Sequence, residues 1–74
     1  MSLIRKISVG PDYKNAMHFI VGQDVLGNSH TIHSITMDND GRYLIHIKNS
    51  SNEIVLWKSF TFTVPITVEH NIDF

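Results

Sequence analysis

The sequence contains no cysteine, and this absence removes two means by which small domains gain stability. Neither a disulfide framework nor a thiolate metal site can form, and the redox compartment is left open. A chain of 74 residues is one domain, near the lower size at which a hydrophobic core is stable alone. Association of copies would supply further burial, so we expect a homo-oligomer.

An excess of charge of one sign is also absent. Six Lys and Arg stand against seven Asp and Glu, and the charges are scattered singly. This balance argues against a strongly basic nucleic-acid binder and against an acidic DNA mimic. No apolar run approaches the roughly 20 residues that span a bilayer, and the N-terminus lacks the basic-then-apolar order of a signal peptide. We therefore expect no membrane association and a cytoplasmic protein.

Helical periodicity is absent, whereas short apolar segments alternate with turn signals. The candidate strands are Leu3 to Val9, Met17 to Leu26, Thr31 to Met37, Arg42 to Lys48, Ile54 to Phe60 and the segment that follows. The sequence predicts an all-β fold, a single small antiparallel meander of five or six strands. We expect residues 1–74 to form one β domain, either a barrel or a two-layer sandwich.

The turn Asp38-Asn39-Asp40-Gly41 predicts a strand register. A three-residue loop with Gly41 in the left-handed conformation places apolar residues opposite one another on one face. The predicted opposing pairs are Met37 with Tyr43, Ile35 with Ile45, His33 with Ile47 and, on the other face, Ser34 with His46.

The next reversal lies within residues 49–53, a polar segment that contains no glycine. A turn at Ser50-Ser51 would place the following residues opposite one another: Lys48 and Glu53, Ile47 and Ile54, and Ile45 and Leu56. The segment from Ile54 to Phe60 is apolar on both faces, which predicts a central strand covered on both sides.

The segment from Phe60 to Phe74 alternates apolar and polar residues, with His70 as the single polar residue on the apolar face. A straight strand of this length would extend about 50 Å, whereas a compact chain of this size is about 30 Å across. Residues 60–74 are therefore a bent strand pair, with the bend at Pro65, or a long C-terminal strand that pairs with another subunit. We expect the homo-oligomer to form through this strand.

Five histidines raise the possibility of a metal site, but no set of them converges. His30 and His33 would point to opposite faces of a strand. Ser34 opposite His46 is the only Ser-His pair that the register suggests, and no oxyanion loop or orienting acid accompanies it. We expect no metal, no cofactor and no enzymatic activity.

His70 is expected to be a buried side chain bonded to a backbone carbonyl. The alternative is a small-ligand or nucleotide site between subunits, with His70, Tyr13, Arg42 and Lys14 as candidate contacts. A nucleic-acid surface is not expected, because the basic neighbours of Tyr43 and Trp57 would point to the opposite face.

The segment Gly10-Pro11-Asp12-Tyr13-Lys14-Asn15-Ala16-Met17, together with the closing Glu69-His70-Asn71-Ile72-Asp73-Phe74, resembles small uncharacterised accessory proteins of T-even-like tailed bacteriophages. The resemblance implies a protein of the host cytoplasm that acts by binding: inhibiting host enzymes, countering host defence, sequestering signalling nucleotides or decorating larger assemblies. It transfers no site residues. The leading hypothesis is a noncatalytic interaction protein that binds a host or phage protein through an exposed strand edge or an oligomer surface.

Overall fold

The computed structural model describes residues 4–12, 14–61 and 63–70, which form seven strands in two antiparallel sheets. The strands are β1 (Ile4–Val9), β2 (Met17–Ile20), β3 (Asp24–Val25), β4 (His30–Met37), β5 (Tyr43–Asn49), β6 (Ile54–Phe60) and β7 (Ile66–His70). The predicted all-β antiparallel class is confirmed, and the described residues contain no helix. The strand number is seven instead of the five or six expected.

The chain forms a three-stranded sheet with the order β2-β1-β7 and a four-stranded sheet with the order β3-β4-β5-β6. The four-stranded sheet follows the predicted meander. Strand β7 departs from it and pairs with β1, Val9 opposite Ile66 and Ile4 opposite His70. Beyond the end of β1, the Gly10 amide donates to the Pro65 carbonyl at 2.9 Å. The segment after Phe60 therefore does not continue β6 in the same sheet.

The core lies between the two sheets. The three-stranded sheet contributes Ile7, Val9 and Phe19, and the four-stranded sheet contributes Ile32, Ile35, Ile45 and Ile47. The Phe19 ring meets the Trp57 ring edge-on at 5.9 Å between centroids and the Phe60 ring at 5.6 Å. These ring contacts hold the C-terminal half of β6 on the core.

The register of the β4–β5 hairpin is confirmed near its turn, where Met37 opposes Tyr43 and Ile35 opposes Ile45. Farther along, the expected pairing of His33 with Ile47 is wrong, because Ile32 takes that place. A bulge between Ile32 and Ser34 makes His33 an additional residue. Two residues three positions apart cannot share a face of a regular strand, so the bulge is what allows Ile32 and Ile35 both to be buried.

The two hairpin loops of the four-stranded sheet have the same construction. In the first, the Asp38 carboxylate accepts hydrogen bonds from the amides of Asp40 and Arg42, both at 2.9 Å, and Gly41 has φ +81°. In the second, the Asn49 side chain accepts hydrogen bonds from the Ser51 and Glu53 amides at 2.9 and 3.0 Å.

In the second loop Asn52, with φ +64°, takes the left-handed position that glycine takes in the first. The predicted turn at Ser50-Ser51 is therefore wrong, because asparagine tolerates positive φ and lengthens the loop by one residue. Lys48 opposes Ile54, Ile47 opposes Val55 and His46 opposes Leu56.

We expect the Asn49→Ala variant to lose about 1–2 kcal/mol of unfolding free energy, because two loop amides lose their acceptor. Urea denaturation measures this loss. Ser50→Ala, an exposed substitution in the same loop, serves as the control and should leave the urea midpoint unchanged. Equal midpoints for the two variants would show that the side-chain hydrogen bonds do not hold the loop.

Candidate interaction surface

Strand β6 is an outer strand of the four-stranded sheet, so the prediction of a central, doubly covered strand is wrong. Among the described strands its only neighbour in the sheet is β5, and β7, which could have covered it, pairs with β1 instead. On this strand Ile54, Val55 and Leu56 expose 49%, 48% and 55% of their surface. Three consecutive aliphatic residues thus lie on a strand edge with which no other described strand pairs.

The backbone of β6 directs hydrogen-bonding groups toward solvent at this edge. The Asn49 amide donates to the Glu53 carbonyl at 3.0 Å, which makes these two residues a hydrogen-bonded pair. Hydrogen-bonded and non-hydrogen-bonded pairs alternate along an antiparallel ladder, so Val55 faces β5 while Ile54 and Leu56 direct their N–H and C=O groups outward. The edge offers these groups to an incoming strand.

Natural sheet edges are usually protected by charge, proline, short length or a bulge. In β6 the bulge lies at Trp57, the additional residue between the pairs His46–Leu56 and Ile45–Lys58. The nearest charges are Glu53 on one side of the apolar triplet and Lys58 on the other. We call residues 53–58 the β6 edge; its central three residues carry no protecting feature.

Strand β7, through which the sequence predicted association, has a more polar outer surface. Ile66 and Val68 are half-buried against the core, whereas Thr67, Glu69 and His70 are exposed. Arg5, an additional residue of β1 at a bulge, donates to the Glu69 carboxylate at 2.6 Å. Both side chains are about half exposed, and the pair adds little to stability.

The predicted ligand residues are not brought to one place. Lys14 lies in the loop that follows the C-terminal end of β1, whereas His70 pairs with Ile4 at the N-terminal end of that strand. The two ends of β1 are about 16 Å apart. Arg42 lies in the β4–β5 loop of the other sheet, where its guanidinium lies 3.4 Å from the Asp40 carboxylate. Tyr13 lies outside the described residues. His70 is exposed and not buried as expected, because it lies at the end of β7, beyond the core.

A small cavity that the sequence did not predict lies beside the loop after β1. Its volume is about 260 Å³ and its lining residues are Ser8, Gly10, Pro11, Asp12, Ala16 and Thr67. The Ser8 hydroxyl lies 2.8 Å from Nδ1 of His18, across the β1–β2 pair. Sequence reasoning missed this pair because the register of β1 against β2 is set across a loop without a recognised turn type.

The Asp12 carboxylate accepts hydrogen bonds from the Asn15 side chain at 3.0 and 3.2 Å and from the Asn15 amide at 3.0 Å. The side-chain bond, followed by the backbone bonds, lowers the pKa of Asp12, so the carboxylate is charged at neutral pH. Since these bonds all go to residues of its own loop, Asp12 stabilises the loop and does not act as the orienting acid of a Ser-His pair.

Within the described ranges, no group of three or more His, Cys, Asp or Glu residues is placed to hold a metal ion. Over the same residues there is no helix of the length and apolarity needed to cross a membrane. Comparisons of the chain with protein-family models, curated proteins and solved structures found no match.

Proposed function

We propose that this chain is a noncatalytic interaction protein that binds a protein partner by strand addition at the β6 edge. The observation that carries the proposal is the exposure of Ile54, Val55 and Leu56 on an outer strand. An extended segment of a partner would pair with the outward groups of Ile54 and Leu56 and cover the apolar side chains between them.

Covering the exposed halves of the three side chains contributes about 3 kcal/mol, since full burial of one aliphatic side chain is worth about 1.5–3 kcal/mol. Backbone hydrogen bonds add direction and register. The resemblance to phage accessory proteins agrees with this proposal, because such proteins commonly act by binding.

The small-ligand alternative has less support. The cavity of about 260 Å³ is smaller than the pockets of roughly 300–1,000 Å³ that usually hold organic ligands. Neither Arg42 nor His70 lines it, and Lys14 and His70 lie at opposite ends of β1. Within one chain these residues do not converge, so the predicted site between subunits would need a second copy to bring them together.

The proposal is tested by selecting short random peptides that bind the protein and measuring their affinity for two variants. Leu56→Lys places a charge on the β6 edge, and we expect the selected peptides to bind it at least about tenfold more weakly, a difference of about 1.4 kcal/mol. Leu26→Lys is the matched control, because Leu26 has almost the same exposure, 53%, and lies outside the edge.

Thermal melting of both variants verifies that they are folded. Peptides that bind Leu56→Lys as tightly as the unaltered chain, or a selection that yields no binder, would contradict the proposal.

A further inference from the structure

From the charges and hydrogen-bonding groups of the β6 edge, we infer that its occupant is a second copy of this chain, paired antiparallel through β6 about a two-fold axis. The inference rests on the proposed function, because it uses the same surface. It joins two four-stranded sheets into one sheet of eight strands and names the partner that the proposed function leaves open.

The order of residues along the edge is acidic, apolar and basic, with Glu53 before the aliphatic triplet and Lys58 after it. An antiparallel second copy brings Glu53 of each chain toward Lys58 of the other. A parallel copy would place like charges together, which destabilises a strand pair. The edge is therefore electrostatically complementary to itself in the antiparallel direction only.

The backbone groups allow the same register. With Val55 opposite Val55 of the second copy, Ile54 lies opposite Leu56 in both halves of the pair. Ile54 and Leu56 are the residues whose N–H and C=O groups point outward, so each half of the interface forms a hydrogen-bonded pair. The aliphatic side chains of the two copies then cover one another.

The bulge places the charges in reach of each other. Without it, Glu53 would lie opposite Trp57 of the second copy; because Trp57 is an additional residue, Lys58 moves one position closer to Glu53. Val55 and Lys58 oppose Ile47 and Ile45 of β5, which share the buried face of the sheet. Glu53, two residues before Val55, lies on that same face.

The pairing also closes the assembly. A two-fold axis uses the β6 edge of both copies, so this edge is no longer available to further chains. The other outer strand of this sheet, β3, is only two residues long (Asp24–Val25), which protects it from pairing. A partner strand must displace the second copy, and dimerisation and peptide binding are therefore mutually exclusive.

The inference is tested by the molar mass in solution of four proteins: the unaltered chain, Glu53→Lys, Lys58→Glu and the double variant. We expect the unaltered chain and the double variant to be dimers. Each single variant should raise the dimer dissociation constant by about tenfold, because two symmetry-related pairs change from attraction to repulsion. An equimolar mixture of the two single variants should restore the dimer, since one chain then carries both lysines and the other both glutamates.

The mixture also controls for misfolding, because a variant that failed to fold would not associate with the other. An unaltered chain that is monomeric at its highest soluble concentration would overturn the inference. So would single variants that dimerise as tightly as the unaltered chain, or folded single variants whose mixture remains monomeric.

Titration with a selected peptide separates this inference from the proposed function. If the inference holds, saturating peptide halves the molar mass. A monomer that still binds peptides at the β6 edge would overturn the dimer alone, whereas loss of peptide binding together with a monomeric state would overturn both.

Discussion

Replacing Ile45 with alanine will remove much of the stability of the domain. Ile45 lies in the middle of β5, opposite Ile35 of β4, and its exposure is 0%. Truncation of a buried isoleucine costs about 2–5 kcal/mol, because the apolar transfer energy is lost and a cavity remains. A domain of this length is stable by about 4–11 kcal/mol in total. The variant will therefore show a large fall in denaturation midpoint, with a populated unfolded fraction at 37 °C.

Urea denaturation followed by tryptophan fluorescence measures the loss, since Trp57 packs against Phe19 of the core. Ile54→Ala is the matched control: it makes the same chemical change in the same sheet, at a position with 49% exposure. At protein concentrations low enough to keep the chain monomeric, the control should lose less than about 1 kcal/mol. Similar losses for the two variants would contradict the assignment of Ile45 to the core and of Ile54 to the edge.

The part of the fold that the sequence predicted depends on local chemistry. In the first hairpin loop Asp38 supplies a side-chain hydrogen-bond acceptor and Gly41 supplies a positive φ. Both features lie within the same five residues of the chain. The pairs nearest this loop, Met37–Tyr43 and Ile35–Ile45, therefore follow directly from the sequence. The second loop obeys the same rule, but with Asn52 in place of glycine the prediction chose the wrong turn.

The bulges at His33 and Trp57 were not predictable in the same way. Each arises because the core requires particular side chains on one face, and that requirement comes from strands distant in sequence. Alternation of apolar and polar residues defines the faces of a regular strand, whereas a bulge shifts every later residue to a new partner.

The candidate surface was missed for a related reason. The pattern of β6 shows that both of its faces are apolar, which is typical of a central strand. Whether a neighbouring strand covers its edge depends on where β7 pairs, and β7 pairs with β1. Periodicity describes the faces of a strand and carries no information about its edges. An apolar edge strand and a central strand therefore look alike in sequence.

Replacing Gly10 with alanine will have the second large effect, because of close backbone packing at the end of β1. Gly10 has φ +151°, and a Cβ atom there would lie 2.7 Å from both the Ala16 Cα and the Asn15 carbonyl oxygen. Both are backbone atoms, which cannot rotate away as a side chain can. The cost combines conformational strain with overpacking, each about 1–3 kcal/mol, so we expect a loss of about 2–6 kcal/mol.

The matched control is Gly22→Ala, where φ is also positive, +95°, but no atom lies within 4 Å of the added methyl group. Strain alone should cost this variant about 1–3 kcal/mol, without the overpacking contribution. Urea denaturation of the two variants then separates close packing from conformational strain. The Gly10 amide also donates to the Pro65 carbonyl, where the chain after β1 meets the chain before β7. Hydrogen exchange of the amide of residue 10 should therefore be faster in the Gly10→Ala variant than in the unaltered chain. Equal losses for the two variants would mean that the loop after β1 yields to the methyl group, and that its close approach to Gly10 does not hold β7 in place.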